Sequence, residues 1–101
     1  MEITISKSDK KDKKFKAILK DKDKKKTIHF GQAGASDMTQ HGDEDRKKRY
    51  ISRHRKNEDW TKSGIDTAGF YSKHLLWNKD SMDKSFTNLK KKFPSINFIY
   101  K

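Results

Sequence analysis

This chain has few side chains with which to build a hydrophobic core. Only 18 of its 101 residues are Leu, Ile or Phe, valine is absent, and the formal net charge is +12. So few strong hydrophobes with so much charge are typical of disordered chains. The 11 aromatic residues argue against disorder, because each buries a large area when it packs. We therefore expect one small domain whose aromatic-rich core occupies part of the chain.

The composition also argues against several classes of protein. No apolar run approaches the roughly 18 residues of a membrane span, and no secretory signal is visible. The chain has no cysteine, so we expect neither a disulfide framework nor a thiolate metal site.

The first segment differs from the rest in its composition. Residues 1–12 are rich in lysine, and we expect them to form a flexible basic arm. Ile3 and Ile5 alternate with polar residues, a pattern that would also suit an edge strand. Residues 13–101 are assigned to a single folded domain.

The domain is predicted to begin with a β-hairpin. Residues 13–20 and 27–30 alternate apolar with polar side chains, as strands with one buried face do. Residues 21–26 between them carry no apolar side chain and are typical of a turn. The following segment, residues 31–42, is predicted to be a connector because small and polar residues dominate it.

Three later segments follow the helical period. Residues 43–56 open with three acidic residues, which suit the positive end of the helix dipole. Residues 67–77 and 81–93 each place apolar side chains three and four residues apart, and Pro94 ends the last segment. Residues 95–100 then alternate as a strand does. The predicted fold is α+β, with an N-terminal hairpin, about three helices and a C-terminal strand.

The four arginines give the first helix a distinctive surface. All of them lie within ten residues, and Arg46, Arg49, Arg53 and Lys56 share an arc of about 80°. Arginine presents a planar fork that matches phosphate, whereas lysine is a point charge. We predict that this face contacts nucleic acid, through Arg46, Arg49, Arg53, Arg55 and Lys56. The assisting residues are Lys90, Lys91 and Lys92, with Lys24, Lys25 and Lys26 at the hairpin tip as further candidates.

An enzyme is not indicated, and no cofactor is expected. His54 and His74 lie beside aromatic positions on their helices, where packing explains them, and Trp60 is expected to fill the core. His41, Asp43 and Asp45 together resemble a metal cluster. However, acids that open a helix are already explained by its dipole, so a metal-dependent nuclease remains the less favoured alternative.

The charge favours double-stranded DNA as the partner. A cationic protein gains affinity by releasing the counterions condensed on a duplex. Membrane binding is less favoured, because the cationic helix carries few apolar residues opposite its charges. Little Asn or Gln accompanies the arginines, so weak sequence preference is expected. The aromatic residues keep core spacing, which does not indicate a base-stacking platform, but RNA stays an open alternative.

Six short motifs follow one another along the chain, in the order FKAIL, KKKTIHFG, SDMTQHGDEDRKKRYISRHRKNEDW, TAGF, LLWNK and KKKF. This order resembles a family of small basic proteins of giant nucleocytoplasmic DNA viruses of the mimivirus type. The resemblance spans residues 13–93 and is most specific over Asp43–Trp60. It implies a viral protein that is made in the virus factory of the host cytoplasm and associates with the virion. It carries over no catalytic residue.

Charge and resemblance together predict a non-enzymatic, largely sequence-nonspecific protein that compacts viral DNA. Compaction requires either two basic faces on one monomer or a homo-oligomer. The main alternative is a structural minor virion or capsid protein whose cations meet acidic protein surfaces.

Overall fold

The computed structural model describes residues 1–101 and shows a four-stranded sheet with helices packed on one face. The strands are β1 (Glu2–Lys7), β2 (Lys13–Asp21), β3 (Lys24–Gln32) and β4 (Asn97–Tyr100). The helices are α1 (Met38–His41), α2 (Glu44–His54), α3 (Ala68–Tyr71) and α4 (Met82–Lys92). The predicted α+β class, the hairpin and the closing strand are all confirmed.

The hairpin of β2 and β3 is longer than its apolar pattern indicates. The strands pair antiparallel from Lys13 opposite Gln32 to Asp21 opposite Lys24, around a two-residue turn. Lys22 in that turn adopts a φ of 59°, which few non-glycine residues do. Backbone hydrogen bonds hold the charged ends of both strands in the sheet. Because these bonds do not depend on apolar side chains, the alternating pattern does not predict how far the strands extend.

The expectation of a flexible arm is wrong for residues 2–7. They form β1, which lies inside the sheet between β2 and β4 in the order β3-β2-β1-β4. Ile3 and Ile5 have no exposed surface, so they belong to the centre of the core and not to an edge. The strand is held on both sides, because β1 pairs antiparallel with β2 and parallel with β4.

The core lies between this sheet and the helices. Alternate residues of all four strands contribute to one cluster of 14 buried side chains, to which the helical segments add Phe70, Tyr71, Leu75, Leu76 and Leu89. The opposite face of the sheet carries polar residues such as Thr4, Lys16 and Thr27, none of which is buried. The sheet is therefore covered on one side only.

Trp60 does not fill the core as predicted. It is half-buried, and its indole Nε1 donates a hydrogen bond to Glu58 Oε1 at 2.9 Å. Ile65, Phe70 and Tyr71 occupy the core near this connector instead. An aromatic residue in a short connector can be read from the sequence, but its direction cannot.

The second predicted helix is divided into two geometries. Thr67 caps α3 by accepting a hydrogen bond from the Phe70 amide. The helix then continues into a π-helical turn, Ser72–Leu76, closed by a 3.0 Å bond from the Trp77 amide to the Ser72 carbonyl. π-Helical turns add a residue to the helical repeat. Here the two neighbouring leucines of the turn are both buried, and Trp77 follows them against α2. None of the helices in the chain is long and apolar enough to cross a lipid bilayer.

Candidate nucleic-acid interface

α2 begins at a well-defined cap, as its acidic opening predicts. The Asp43 carboxylate accepts hydrogen bonds from the amides of Asp45 (3.0 Å) and Arg46 (3.2 Å). The bond from the Arg46 amide is the main reason that the pKa of Asp43 lies below its usual value. Gly42, with a φ of 62°, ends α1 and turns the chain into α2. Local residues thus fix where the arginine helix starts.

A row of four aromatic rings fixes the orientation of α2. The Tyr50 ring lies between the His54 ring at 4.2 Å and the Trp77 ring at 4.5 Å, the latter nearly parallel to it at 6°. His41 packs against Trp77 at 5.4 Å. Burial raises the pKa of the Tyr50 hydroxyl, and the negative charge of Glu58 raises it further. The predicted aromatic face of this helix is therefore its attachment to the domain.

The neighbouring face presents the arginines to solvent. Arg46, Arg49 and Arg53 are all exposed, and we call this set the arginine stripe. Lys56, which the sequence places with them, lies beyond the end of α2 at His54 and lines a surface hollow with Arg55 and Lys48. The ion pairs of the chain include none of the four arginines. The one side-chain hydrogen bond from the stripe runs from Arg46 Nη2 to Ser36 Oγ at 3.1 Å. The stripe is thus a set of cations without ion pairs on a capped helix, although Arg49 is close enough to Asp43 to help lower the pKa of that carboxyl.

Arg55 does not lie on the stripe. It keeps helical backbone angles at the end of α2, and nine residues at about 100° each place it about 180° from Arg46. Lys48 lies near it on that side, and both are exposed. The helix therefore carries positive charge on two flanks, a conclusion that its spacing already contains.

A cleft of about 290 Å³ borders the stripe. It lies between α2, residues 35–37 and the π-helical turn, and Arg53, His54 and Ser72 contribute to its wall. The cleft also contains Lys14, whose ammonium group forms a buried ion pair with Asp37 and hydrogen-bonds Gln40 at 3.1 Å. His54 is paired with Glu58 at 2.9 Å. Arg53 is consequently the cation of this cleft that has no carboxylate partner.

The hairpin-tip lysines lie far from the stripe. Lys24, Lys25 and Lys26 are exposed at the start of β3, whereas the cleft beside α2 lies at its other end. Eight strand steps of about 3.3 Å separate those ends by about 26 Å. Lys26 also pairs with Asp66 at 3.6 Å. The structure does not combine the hairpin tip and the arginine stripe into one surface.

The consecutive lysines at the end of α4 point in different directions. Lys90 lies over the Phe86 ring at 5.8 Å, and that ring also packs against Tyr100. Lys91 is exposed, and Lys92 approaches Lys73 of the π-helical turn. Of these three lysines, only Lys92 is close enough to Lys73 to help lower the pKa of that residue.

Lys73 of the π-helical turn and Lys47 of α2 are two further basic residues that the sequence prediction did not include. Lys73 is half-buried, its ammonium group lies 5.5 Å from the Trp60 ring centre, and it also interacts with Lys47 of α2. Burial, together with the neighbouring Lys92 and Lys47, lowers the pKa of Lys73 to about 8. Lys73 is the only Lys, Arg, Asp or Glu between Asp66 and Lys79 in the sequence, so no local charge pattern indicates its role.

The residues of the metal alternative have other partners. The Asp43 carboxylate caps α2, and the Asp43 amide donates to His41 Nδ1 at 2.8 Å. No group of three or more His, Asp or Glu side chains in the chain is arranged to hold a metal ion. The cluster of His41, Asp43 and Asp45 that the sequence suggests is not assembled.

Comparison with known families adds one finding. The model of a family of unknown function, DUF5754, matches residues 3–54, which is just over half of the chain. The chain belongs to DUF5754. The part matched by DUF5754 runs from β1 to the last residue of α2, so it contains the hairpin and the whole arginine stripe. It also includes β1, which lies outside the viral resemblance. No curated protein and no solved structure matches the chain.

Proposed function

We propose that this protein is a non-enzymatic, largely sequence-nonspecific binder of double-stranded DNA that compacts it. One observation carries the proposal: three arginines lie exposed on one face of a capped helix, and none of them forms an ion pair with a carboxylate. Cations already paired within the protein would have to exchange one partner for another. These are available to phosphate oxygens directly.

The electrostatics favour a polyanion of high charge density. Duplex DNA carries one negative charge per about 1.7 Å of its axis, and neutralising it releases condensed counterions. The net charge of +12 adds long-range attraction to the local contacts of the stripe. Arginine also forms two parallel hydrogen bonds to one phosphate, which a lysine cannot do.

The same surface offers little with which to read bases. Direct readout in the major groove uses Asn, Gln or Arg side chains aimed at base edges from a helix that enters the groove. The stripe contains no Asn or Gln, and α2 has only 11 residues. Contacts to the backbone therefore account for the surface better than contacts to particular bases.

The proposed setting follows from the viral resemblance. A genome-condensing protein of a giant DNA virus would act in the cytoplasmic virus factory and remain in the virion. This part of the proposal depends on the motifs between Asp43 and Trp60 and not on the charge alone. Protein extracted from virions together with DNA would support it.

A salt series with a charge-matched control tests the DNA contact. We expect replacement of Arg46, Arg49 and Arg53 by Gln to lower affinity for random duplex at least tenfold. The slope of log affinity against log salt should fall by about 2 to 3, because three phosphate contacts are lost. The control variant replaces Lys10, Lys11 and Lys20, which are exposed and lie outside α2, and so removes the same charge.

The two variants separate the possible outcomes. Equal losses would mean that only net charge matters, and an unchanged slope in the arginine variant would overturn the stripe as the contact. Binding to acidic proteins with no compaction of DNA would favour the virion structural alternative instead.

A further inference from the structure

α2 exposes more than half of its circumference. The helix is attached to the domain through the stacked rings of Tyr50 and His54, and Tyr50 is its one buried residue. At about 100° per residue, the exposed side chains between Glu44 and Arg55 cover an arc of about 200°. The arginine stripe fills only one end of this arc, so the rest of the exposed surface needs its own explanation.

A second group of cations lies at the other end of the arc. Lys48, Arg55 and Lys56 are exposed and line one surface hollow, and we call these three residues the second flank. The five ion pairs of the chain include none of them. The exposed arc of α2 therefore has three cations without ion pairs on each of its two sides.

A small neutral residue separates the two groups of cations. Ser52 is exposed, and rotation along the helix places it about 60° from Arg49 on one side and about 40° from Lys48 on the other. The acidic residues of the helix, Glu44 and Asp45, are confined to its first turn. The last two turns of α2 therefore present a serine at the centre of the arc, with cations on both sides of it.

This arrangement matches the major groove of B-form DNA. The groove is about 12 Å wide, and a helix with its side chains is about 10 to 12 Å across. A helix in the groove has a phosphate backbone on each side and base edges in front of it. Cations on both sides can then reach phosphates of both strands, and a short side chain such as Ser52 does not hold the helix away from the base edges. A helix that only lay against one backbone would use a single row of cations.

We propose that the last two turns of α2 enter the major groove of one DNA duplex, with the arginine stripe against one strand and the second flank against the other. This inference rests on the proposed DNA binding and gives it a docking geometry. A serine hydroxyl can bond to any of the bases, so entry into the groove by Ser52 demands no particular sequence. Both sides of α2 are then used by one duplex, so compaction requires a second copy of the chain or a basic surface outside α2.

A variant of the second flank tests whether both sides of α2 contact one duplex. We expect replacement of Lys48, Arg55 and Lys56 by Gln to lower affinity for a random duplex at least tenfold, as in the arginine-stripe variant. The charge control, whose three replaced lysines lie outside α2, should lose less than threefold. A loss below threefold in the second-flank variant would overturn the groove geometry, because a helix lying on one backbone needs only the stripe.

Altered DNA tests the groove with the unaltered protein, and so does not depend on the folding of any variant. A glucosylated hydroxymethyl group at C5 of cytosine obstructs the major groove, and we expect such duplexes to bind at least tenfold more weakly than plain ones. Netropsin fills the minor groove of A·T tracts, and its presence should change the affinity less than twofold. Equal binding to glucosylated and plain duplexes would refute entry into the major groove.

Double-stranded RNA of the same sequence separates this geometry from simple attraction to phosphate. The major groove of A-form RNA is deep and narrow, so α2 cannot enter it. We expect the RNA duplex to bind at least tenfold more weakly than the DNA duplex. Equal affinity for the two would contradict groove entry and leave charge-based binding of duplexes intact. If the unaltered protein binds no duplex at all, the proposed function itself fails.

Discussion

The helices α2 and α4 have the same length and opposite roles. Each has 11 residues and begins at a side-chain cap, Asp43 for α2 and Ser81 for α4. α4 buries Leu89 completely and packs Met82 and Phe86 against the core. α2 buries only Tyr50, which is 8% exposed and lies outside the core cluster.

The different attachment of α4 and α2 shows how each helix comes to carry its charged side chains. α4 is held by the sheet, so its lysines are placed by the packing of its apolar side. α2 is attached mainly through one row of rings, and removing its arginines leaves every described contact in the core intact. A helix that contributes so little to the core and carries so much unpaired charge is better explained by a partner than by folding.

Truncation of the α4 anchor should have the largest effect on stability. Leu89→Ala is expected to cost about 3 to 5 kcal/mol of unfolding free energy, because Leu89 has no exposed surface and leaves a cavity. Ile51→Ala on α2, at a half-buried position, should cost under about 1 kcal/mol. Denaturant unfolding measures both, and similar losses would contradict the contrast between the two helices.

Removal of the α2 anchor should have an intermediate effect on stability and a strong effect on binding. Tyr50→Ala is expected to lose about 2 to 3 kcal/mol through lost burial and ring stacking, and to release α2 from Trp77. Affinity for duplex should then fall although no charge is lost. Tyr50→Phe keeps the rings and serves as the control. Undiminished DNA binding by Tyr50→Ala would show that the stripe does not need a fixed helix.

Removal of either helix cap should have the smallest effect on stability. Ser81→Ala is expected to cost about 1 kcal/mol and lower the Tm by about 4 to 8 °C, because the Lys84 amide loses its acceptor and α4 unfolds with the core. Asp43→Ala should lower the Tm less and instead reduce helical circular dichroism, since α2 can fray alone.

The contribution of the Asp43 cap should also depend on pH. The pKa of Asp43 is lower in the fold than in the unfolded chain, so the cap stabilises α2 above about pH 4. That contribution is lost as the pH falls through the pKa of the folded state. Equal effects of Asp43→Ala at pH 7 and at low pH would contradict this assignment.

Much of the fold can be predicted from short stretches of the sequence. The acids that open α2, Ser81 before α4 and Pro94 after it mark helix ends through interactions within a few residues. β1 was assigned to a flexible arm, or at most to an edge strand, because its lysine-rich surroundings resemble a tail. Its pairing partners lie 8 to 18 residues away in β2 and at the far end of the chain in β4. Trp60 was misplaced because a connector has no period from which to read direction.

Some features of the candidate site can likewise be predicted from the sequence, and others depend on tertiary packing. The arginine stripe and the separate position of Arg55 follow from the sequence, because rotation along a helix is fixed by about 100° per residue. That β1 is an inner strand, and that Lys73 lies over the Trp60 ring, was decided only by the tertiary structure. Those residues are brought together by packing between elements distant in the chain, and no spacing within one element records it.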